Sequence, residues 1–371
     1  MRSTSGEHYL ALDHVRALAA FIVFCWHFLH GFSGQPVALG FTPAVFPLAL
    51  LDEGHTGVAL FMTLSGYLFA KLLDGKRMHY GWFIWNRLVR IVPLLLLVIG
   101  GIGLYRYLAD DGFQMYLQFV KLGWLLPTLP NGAWSVTVEL HFYLVLPLIL
   151  VLSRRSIGWL VALLVAALLL RTYLHHRNGE VQTLSYLTLV GRIDQFLLGI
   201  LAFHLRRHLR KRHWLAAATG LAFLAFYWYF DLIGGFISYP SYPSPSRLWI
   251  VLPALEGIAY ATLIAYYDSS FQPGRTGLSG LIGRFGTYSY SIYLLHFFLV
   301  FRMSAFIGSV MDLSNFYVAC AWSLACFCLM YPVGYLSYRF VEEPFLRLRH
   351  RYAISSAGTA TLEAGGREPA R

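Results

Sequence analysis

Apolar residues fall into about ten long runs along this chain, and each run is about as long as a helix that crosses a lipid bilayer. Polar or basic stretches separate the runs. The pattern therefore predicts an all-α fold, a polytopic transmembrane helix bundle of about ten spans. The predicted spans cover residues 11–31, 54–73, 91–108, 134–152, 157–173, 186–205, 214–230, 248–267, 285–303 and 314–338.

The composition excludes an ordinary water-soluble globule. Of the 371 residues, 57% are hydrophobic and 13% are charged, whereas a typical soluble protein is about half apolar and about a quarter charged. In a soluble chain the net charge of +11 would suggest a nucleic-acid partner. Here it favours a membrane surface, and no nucleic-acid partner is expected. The basic residues concentrate in alternate loops, so the positive-inside rule predicts that both termini are cytoplasmic.

The apolar pattern divides the chain into two parts. Residues 1–346 are expected to form the transmembrane domain, and residues 347–371 a basic and then disordered cytoplasmic tail. The end of the chain is rich in Ala, Ser, Thr and Gly and lacks hydrophobic periodicity. The cysteines lie inside apolar runs without the spacing of a zinc site, so no metal is expected.

Among the polar residues of the first predicted span, Arg16 and His27 form the most telling pair. A polar or charged side chain in a span costs about 2.5–3.5 kcal/mol on insertion scales, so each needs a partner or a task. Their spacing corresponds to about 1100° of helical rotation, which sets the two side chains within about 20° of each other and about 16 Å apart. The spacing predicts a guanidinium near the cytoplasmic mouth and an imidazole near the middle of the bilayer, on one face of the helix.

Several motifs follow one another from the first span to the end of the last. They are LDHVRALAA at 12–20 followed by His27, GVALFMTLSGY at 57–67, RLVRIVP at 87–93, WSVTVE at 134–139, RIDQF at 192–196 with Gly199, YSIYLLH at 290–296 and EEPF at 342–345. On these motifs the chain resembles the acyltransferase 3 family of integral membrane acyltransferases, whose mark is a basic residue, ten residues and then His. The resemblance covers about residues 10–346. Ala59 departs from it, because many members have an acidic residue there.

The resemblance implies an enzyme, a membrane O-acyltransferase. Such an enzyme moves an acyl group, commonly acetyl, from acyl-CoA to a hydroxyl of a carbohydrate or glycosylated acceptor. Acyl-CoA is then the donor substrate, with no bound cofactor, and the expected role is modification of cell-surface or exported polysaccharide. The expected partners are the donor, the acceptor, membrane lipid and polysaccharide-assembly proteins, and the expected location is the bacterial cytoplasmic (inner) membrane.

The resemblance assigns donor binding to the arginines of the R-x-x-R motif, Arg87 and Arg90, together with Arg16. Forked guanidinium groups suit the phosphates of CoA better than a lysine ammonium does. The plainer alternative is that inner arginines beside a span only satisfy the positive-inside rule.

His27 is the expected centre of catalysis, because an imidazole can accept the proton of the acceptor hydroxyl near neutral pH or carry the acyl group itself. The sequence leaves both mechanisms open. Arg16 is expected to bind the donor or to hold the geometry through Asp13. Glu139, one turn after Ser135, is expected to orient His27 or bind the acceptor, with a carboxylate near a helix start as the alternative.

The candidates for substrate binding are Trp134, Ser65, Asp194 and His296. Trp134 suits stacking on a sugar ring. Ser65 suits a hydrogen bond to an oxyanion, although a Ser-Gly pair in a span more often forms a close-packing surface. Asp194 is expected to be neutralised by Arg192 in the same span or to reach the first span. His296 is expected to contact substrate or to make a structural hydrogen bond.

The main alternative to an enzyme is a proton-coupled membrane transporter of a small solute. The ionisable residues of the predicted spans could form a proton relay. Transporter folds commonly consist of two matching halves with interrupted spans, and the sequence shows no such repeat, which favours the enzyme.

Overall fold

The structure, a computed structural model, describes residues 9–31, 36–238 and 241–355. Most of this part of the chain is helical. Its α-helices are α1 (Leu10–Leu29), α2 (Ala49–Asp52), α3 (Gly57–Leu72), α4 (Tyr80–Leu108), α5 (Phe113–Leu122), α6 (Trp134–Arg155), α7 (Ile157–Asn178), α8 (Gln182–Leu187), α9 (Leu189–Leu209), α10 (His213–Leu232), α11 (Gly235–Ser238), α12 (Leu248–Ser270), α13 (Gly277–Thr287), α14 (Ser289–Leu295), α15 (Val300–Val310), α16 (Phe316–Ser337) and α17 (Glu343–Leu346). Short 3₁₀ turns lie at Phe46–Leu48, Gly54–Thr56 and His296–Phe298, a π-helical turn at Tyr338–Glu342, and two antiparallel strands at β1 (Lys76–Met78) and β2 (Ala353–Ser355).

Seven described helical segments are long and apolar enough to cross a membrane. They are α1, α4, α6, α7, α10, α12 and the continuous stretch Phe316–Leu346. The bent pair Ser289–Phe298 and Val300–Val310, with 56° between its halves, makes an eighth if it is one span. The chain is therefore an all-α helical membrane protein. Length and composition do not confirm the predicted count of about ten spans, because two of the predicted spans correspond to α3 and α9.

The helices α3 and α9 form the centre of the bundle, which explains why they do not have the composition of a lipid-facing span. The first is only 16 residues long, and the second carries several charged residues. Their backbones touch: a Cβ on Gly66 would lie 2.1 Å from the carbonyl oxygen of Phe196, and a Cβ on Gly199 would lie 2.1 Å from that of Thr63. Helices enclosed by other helices need small contact residues more than an apolar outer surface.

The helix α4 begins at Tyr80, well before the predicted start of the span at residue 91. The side chain of His79 accepts a hydrogen bond from the backbone N–H of Trp82 at 3.3 Å and caps the helix. Arg87 and Arg90 consequently lie on a helix, and their predicted position in an inner loop is wrong. Because they are three residues apart, both side chains lie on the same side of α4.

The chain after α17 returns to the beginning of α4. β2 pairs with β1, and Asn86 holds the backbone of His350 from two sides, donating to its carbonyl at 2.6 Å and accepting from its N–H at 2.9 Å. Tyr352 is buried beside them. Residues 347–355, the first part of the predicted tail, are thus packed on the bundle, and residues 356–371 lie outside the described residues.

Candidate active site

The helices α1, α3, α4, α6 and α14 surround a polar cavity inside the bundle. Its space of about 100 Å³ is room for several water molecules. The predicted site residues on its wall are Arg16, Ser65, Arg87, Arg90 and Glu139. Much of the remaining polar lining consists of Ser135, Tyr143, Tyr290 and Tyr293. Residues predicted from separate motifs therefore face one space.

Arg87 is a buried cation without a carboxylate partner in the part of the chain that the structure describes. Its side chain is 8% exposed, and the rings of Phe69, Phe83, Tyr143 and Tyr352 lie 5.3–6.0 Å from its guanidinium. No carboxylate among the described residues forms an ion pair with it, and its Nε has no hydrogen-bond partner there. Aromatic faces attract a guanidinium but do not neutralise it. The cavity consequently offers a positive group to an anion.

Further cations surround Arg87. Arg90 lines the same cavity, and so does Arg16, whose guanidinium forms the predicted ion pair with Asp13. Arg349, on the returning C-terminal segment, lies in the same electrostatic field. Burial lowers the pKa of Arg349, and the charges of Arg90 and Arg87 lower it further. The end of the bundle around Arg87 is therefore strongly electropositive.

Glu139 is held inside the cavity by hydroxyl groups. Its Oε1 accepts hydrogen bonds from Ser65 at 3.2 Å and from Tyr143. It neither caps α6, whose cap residue Ala133 makes no side-chain bond, nor contacts His27 among its described hydrogen bonds. Gly66 of the Ser-Gly pair makes the predicted close contact with α9, and Ser65 lines the cavity with its hydroxyl bonded to Glu139.

His27 lies near the other end of α1, away from the cavity wall described above. Its half-buried ring packs on those of Trp26, His296 and Phe297, with centroids 4.7, 5.1 and 4.5 Å away. His296 is buried and contacts Tyr293, which does line the cavity, at 5.8 Å between ring centroids. Tyr293 therefore links the wall of the cavity to the two histidines, which do not line it themselves.

Asp194 belongs to a buried ion pair and not to the cavity. Arg171 of α7 grips both of its carboxylate oxygens, at 2.8 and 2.5 Å, and the two side chains are almost fully buried. The predicted neutralisation by Arg192 is wrong. Arg192 instead donates to the carbonyl of Tyr186 and to Gln195. Because Arg171 binds both oxygens and the carboxylate is 1% exposed, a substrate has little access to it.

Trp134 also lies away from the cavity wall. The guanidinium of Arg192 stands 4.4 Å from the ring of Tyr186 and 5.5 Å from that of Trp134, and the two rings contact each other. This stack explains the neighbouring Trp and Arg motifs without a sugar ligand.

Three tyrosines of the site were missed in the sequence. Tyr290 and Tyr293 belong to the YSIYLLH motif, and their spacing of three residues indicates a shared helix face. Tyr143 lies one turn after Glu139 and is found by the same rule. Tyr352 has no such signal, since only the return of the C-terminal segment brings it to Arg87. Among the described residues, no group of His, Cys, Asp and Glu could hold a metal ion.

An all-helical membrane protein with a buried, arginine-lined cavity is the class that the fold and the site define. The sequence profile described as "Acyltransferase domain" matches residues 9–361, so the chain belongs to the acyltransferase 3 family. It is 26% identical to acyltransferase MdmB of Streptomyces mycarofaciens, covering 95% of this chain and 96% of the relative. It is 24% identical to ORF330 of Acidianus two-tailed virus, a proposed acetyltransferase, covering 72% and 80%.

No solved structure matches the chain. The family and both relatives nevertheless agree on the reaction class, and the chain is an acyltransferase enzyme. They give no support to the transporter alternative.

Proposed function

We propose that the chain transfers an acyl group, most simply acetyl, from acyl-CoA to a hydroxyl of a carbohydrate or glycosylated acceptor in a cell-surface or exported polysaccharide. Acyl-CoA acts as a substrate, and no cofactor stays bound. The observation that carries the proposal is the buried guanidinium of Arg87 on the wall of a cavity, without an ion-pair partner among the described residues.

The donor's phosphates are the anions that this cavity suits. Arg87 and Arg90 present forked N–H donors on one side of α4, and Arg16 faces them from α1. The cavity is enclosed by rings and apolar side chains, so the attraction between a phosphate and these guanidinium groups is weakly screened. A polyanion therefore gains more binding free energy in this cavity than on an exposed basic surface.

His27 is the residue that we assign to the acyl transfer. It lies about 16 Å along α1 from Arg16, a separation that suits a donor whose phosphates and thioester stand at opposite ends of a long arm. The imidazole removes the proton of the acceptor hydroxyl, whose oxygen attacks the thioester carbon, or it carries the acyl group between the two substrates. The Ser65 hydroxyl is not assigned to the developing oxyanion, because its single proton is donated to Glu139.

We infer an orientation with both ends of the chain in the cytoplasm of a bacterial cell and the bundle in its inner membrane. In this orientation α3 and α9, which are enclosed by the other helices, also cross the membrane. The end with Arg87 then faces cytoplasmic acyl-CoA, and the acceptor meets His27 from the outer side, beside polysaccharide-assembly proteins. The acyl group crosses the membrane while the rest of the donor stays inside.

The test compares cell-surface glycans, by mass and NMR, from cells with the native gene, without the gene, and with His27→Ala. A His176→Ala strain is the matched control, because His176 is an exposed histidine at the end of α7. We expect one O-acyl group to disappear from the deletion and His27→Ala strains only, at equal protein levels. Unchanged glycans together with a lost solute flux would instead identify a transporter.

A further inference from the structure

The bent pair of helices α14 and α15 breaks inside the bundle. α14 ends at Leu295, a 3₁₀ turn covers His296–Phe298, and α15 begins at Val300. The loop before α6 holds the break, since Nδ2 of Asn131 donates to the carbonyl of Leu294 at 2.6 Å. Broken helices persist at membrane depth only where protein or a cavity satisfies their freed backbone groups, and substrate sites are common there.

His296, the first residue of the turn, is fixed as one tautomer. Its Nδ1 lies 2.6 Å from the carbonyl oxygen of Tyr293. A carbonyl only accepts, so Nδ1 carries the proton and the neutral ring keeps its lone pair on Nε2. The residue is 1% exposed, and Nε2 has no hydrogen-bond partner among the described residues. The fold therefore holds a buried basic nitrogen that is free to accept a proton.

The ring of His27 is the neighbour that can supply this proton. Its centroid lies 5.1 Å from that of His296. No hydrogen bond joins the two rings in the structure, but at this separation a rotation of the His27 side chain can bring one of its nitrogens within about 3 Å of Nε2, which is the range of a hydrogen bond. Phe24 and Phe297, which also contact His296, have no polar ring atoms. Neither nitrogen of His27 is hydrogen-bonded to another described residue.

Tyr293, the remaining ring beside His296, has its hydroxyl group committed elsewhere. The hydroxyl donates to the carbonyl of Gly132 at 2.9 Å and accepts from Ser135 at 2.6 Å. Its side chain lines the cavity while its backbone carbonyl holds Nδ1 of His296. This residue therefore couples the position of the two histidines to the wall of the cavity.

We propose that His296 is a positioning residue for His27, a role that rests on the proposed acyl transfer. When the acyl group is transferred, the His27 ring turns so that one of its nitrogens donates to Nε2 of His296 and the other presents its lone pair to the acceptor hydroxyl. As the hydroxyl oxygen bonds to the thioester carbon, its proton moves to His27. The proton on the opposite nitrogen of His27 passes to Nε2 of His296. The C–S bond then breaks, and a proton returns by the same route to the thiolate of CoA.

Three substitutions at position 296 separate this role from a structural one. His296→Asn keeps an N–H donor for the Tyr293 carbonyl and removes the group at Nε2. His296→Gln keeps a polar group near Nε2 that cannot be protonated. His296→Ala removes both and leaves space for added imidazole. Each variant is assayed in membranes of the producing cells, by transfer of label from [¹⁴C]acetyl-CoA to the endogenous glycan over a range of donor concentrations up to saturation.

We expect kcat to fall about a hundredfold in the Asn and Gln variants, as for loss of a proton acceptor, with KM for acetyl-CoA within about twofold of the native value. Added imidazole should restore part of the activity of His296→Ala but none of that of His27→Ala/His296→Ala. The matched control is His14→Asn on α1, because both nitrogens of His14 are already bonded, to Tyr267 and Ser279.

The results separate the two proposals. Native kcat in His296→Asn, or no effect of imidazole on His296→Ala, would show that the Nδ1 hydrogen bond is all that His296 contributes. If the Ala variant is absent from the membrane, the Asn and Gln variants decide. If the native protein transfers no label at all, the proposed function fails, and this inference fails with it.

Discussion

Two buried arginines show how differently this bundle treats a positive charge. Arg171 is fully buried, grips both oxygens of Asp194 and donates its other N–H groups to the carbonyls of Ile250 and Gly191. Arg87 is nearly as buried, yet it has rings around it and a cavity in front of it in place of a carboxylate. The first guanidinium is satisfied by the fold itself, and the second is not.

The difference separates a structural charge from a binding charge. Burying an ion is costly unless a partner of opposite sign compensates it. Where the fold supplies the partner, the arginine contributes to folding and has little capacity for a ligand. Where the partner is missing, a ligand that brings negative charge recovers the lost interaction energy. Sequence position does not reveal the distinction, since both arginines lie on long apolar helices.

Removing Asp194 should have the largest effect. Asp194→Ala leaves Arg171 charged and unpaired in the core, which should lower the free energy of unfolding by about 3–5 kcal/mol. Thermal unfolding of the protein in detergent, followed by tryptophan fluorescence, measures the change. The double variant Arg171→Met/Asp194→Leu is the control, because removing both charges should cost less than removing one. A single variant as stable as the native protein would mean that the pair is not structural.

Arg87→Ala should have the opposite signature. We expect the Kd for CoA to rise about 10- to 100-fold, since a charge-assisted pair of hydrogen bonds is lost. The unfolding temperature of the ligand-free protein should hardly change. Arg87→Lys should recover only part of the affinity, because an ammonium lacks the planar fork. Isothermal titration of CoA into each variant in detergent measures the two Kd values.

Arg347→Ala is the matched control for Arg87, because Arg347 is exposed and precedes the C-terminal segment that returns to the beginning of α4. It should leave the Kd within about twofold of the native value, as expected for a screened surface charge. Severe destabilisation by Arg87→Ala, with unchanged CoA affinity in the fraction that folds, would place Arg87 in the same class as Arg171.

Glu139→Gln tests the same comparison of Arg87 and Arg171 by changing a carboxylate instead of an arginine. Glu139 lies in the cavity but is held by Ser65 and Tyr143, so it should not act as the neutralising partner of Arg87. Removing its charge should tighten CoA binding by about two- to fivefold, because one repulsive charge leaves the phosphate site. Titrations of native and variant protein at equal ionic strength measure the difference. Weakening beyond about tenfold would show that Glu139 helps to hold the arginines in place.

The long apolar runs predicted the helices well, because their length and hydrophobicity are local properties. The start of α4 was not predicted, because its first turns carry Trp, Asn and Arg side chains, a composition that is typical of a loop. The break at His296 is equally invisible in a continuous apolar run. The two central helices were counted as lipid-facing spans, although their burial by other helices is a property of the whole bundle.

The cavity residues could be predicted only through the motifs that resemble the family, because no local pattern brings Arg16, Arg87 and Glu139 to one space. The prediction of which residues on different helices pair with each other was the part that was wrong. Asp194 was assigned to Arg192 on its own helix, whereas the distance and direction of Arg171 depend on how α7 packs on α9. The sugar contact of Trp134 stays a prediction, although the sequence did not indicate that the guanidinium of Arg192 lies 5.5 Å from its ring.

The smallest expected effect concerns a buried cation that pH can switch off. His30, just beyond the end of α1, lies 3.3 Å from the carboxylate of Asp52. Burial opposes its protonation, but the hydrogen bond and charge of Asp52 outweigh burial, so the pKa of His30 is raised above its ordinary 6.5. Burial also raises the pKa of Asp52. Both groups therefore hold protons more firmly in the folded protein than in the unfolded chain.

A raised pKa contributes stability below the unfolded pKa and loses it as pH rises through the folded value. The unfolding temperature should consequently fall between pH 6 and pH 9, with His30 contributing about 1–2 °C of that fall. His30→Gln should flatten the dependence by that amount while Arg171 and Asp194 keep their pairing throughout, because an arginine cannot lose its proton in this range. The measurement is thermal unfolding of both proteins at closely spaced pH values. Equal slopes of unfolding temperature against pH for the two proteins would mean that Asp52 does not hold a proton on His30. A carboxylate beside a buried cation would then not be enough by itself to make the pair structural.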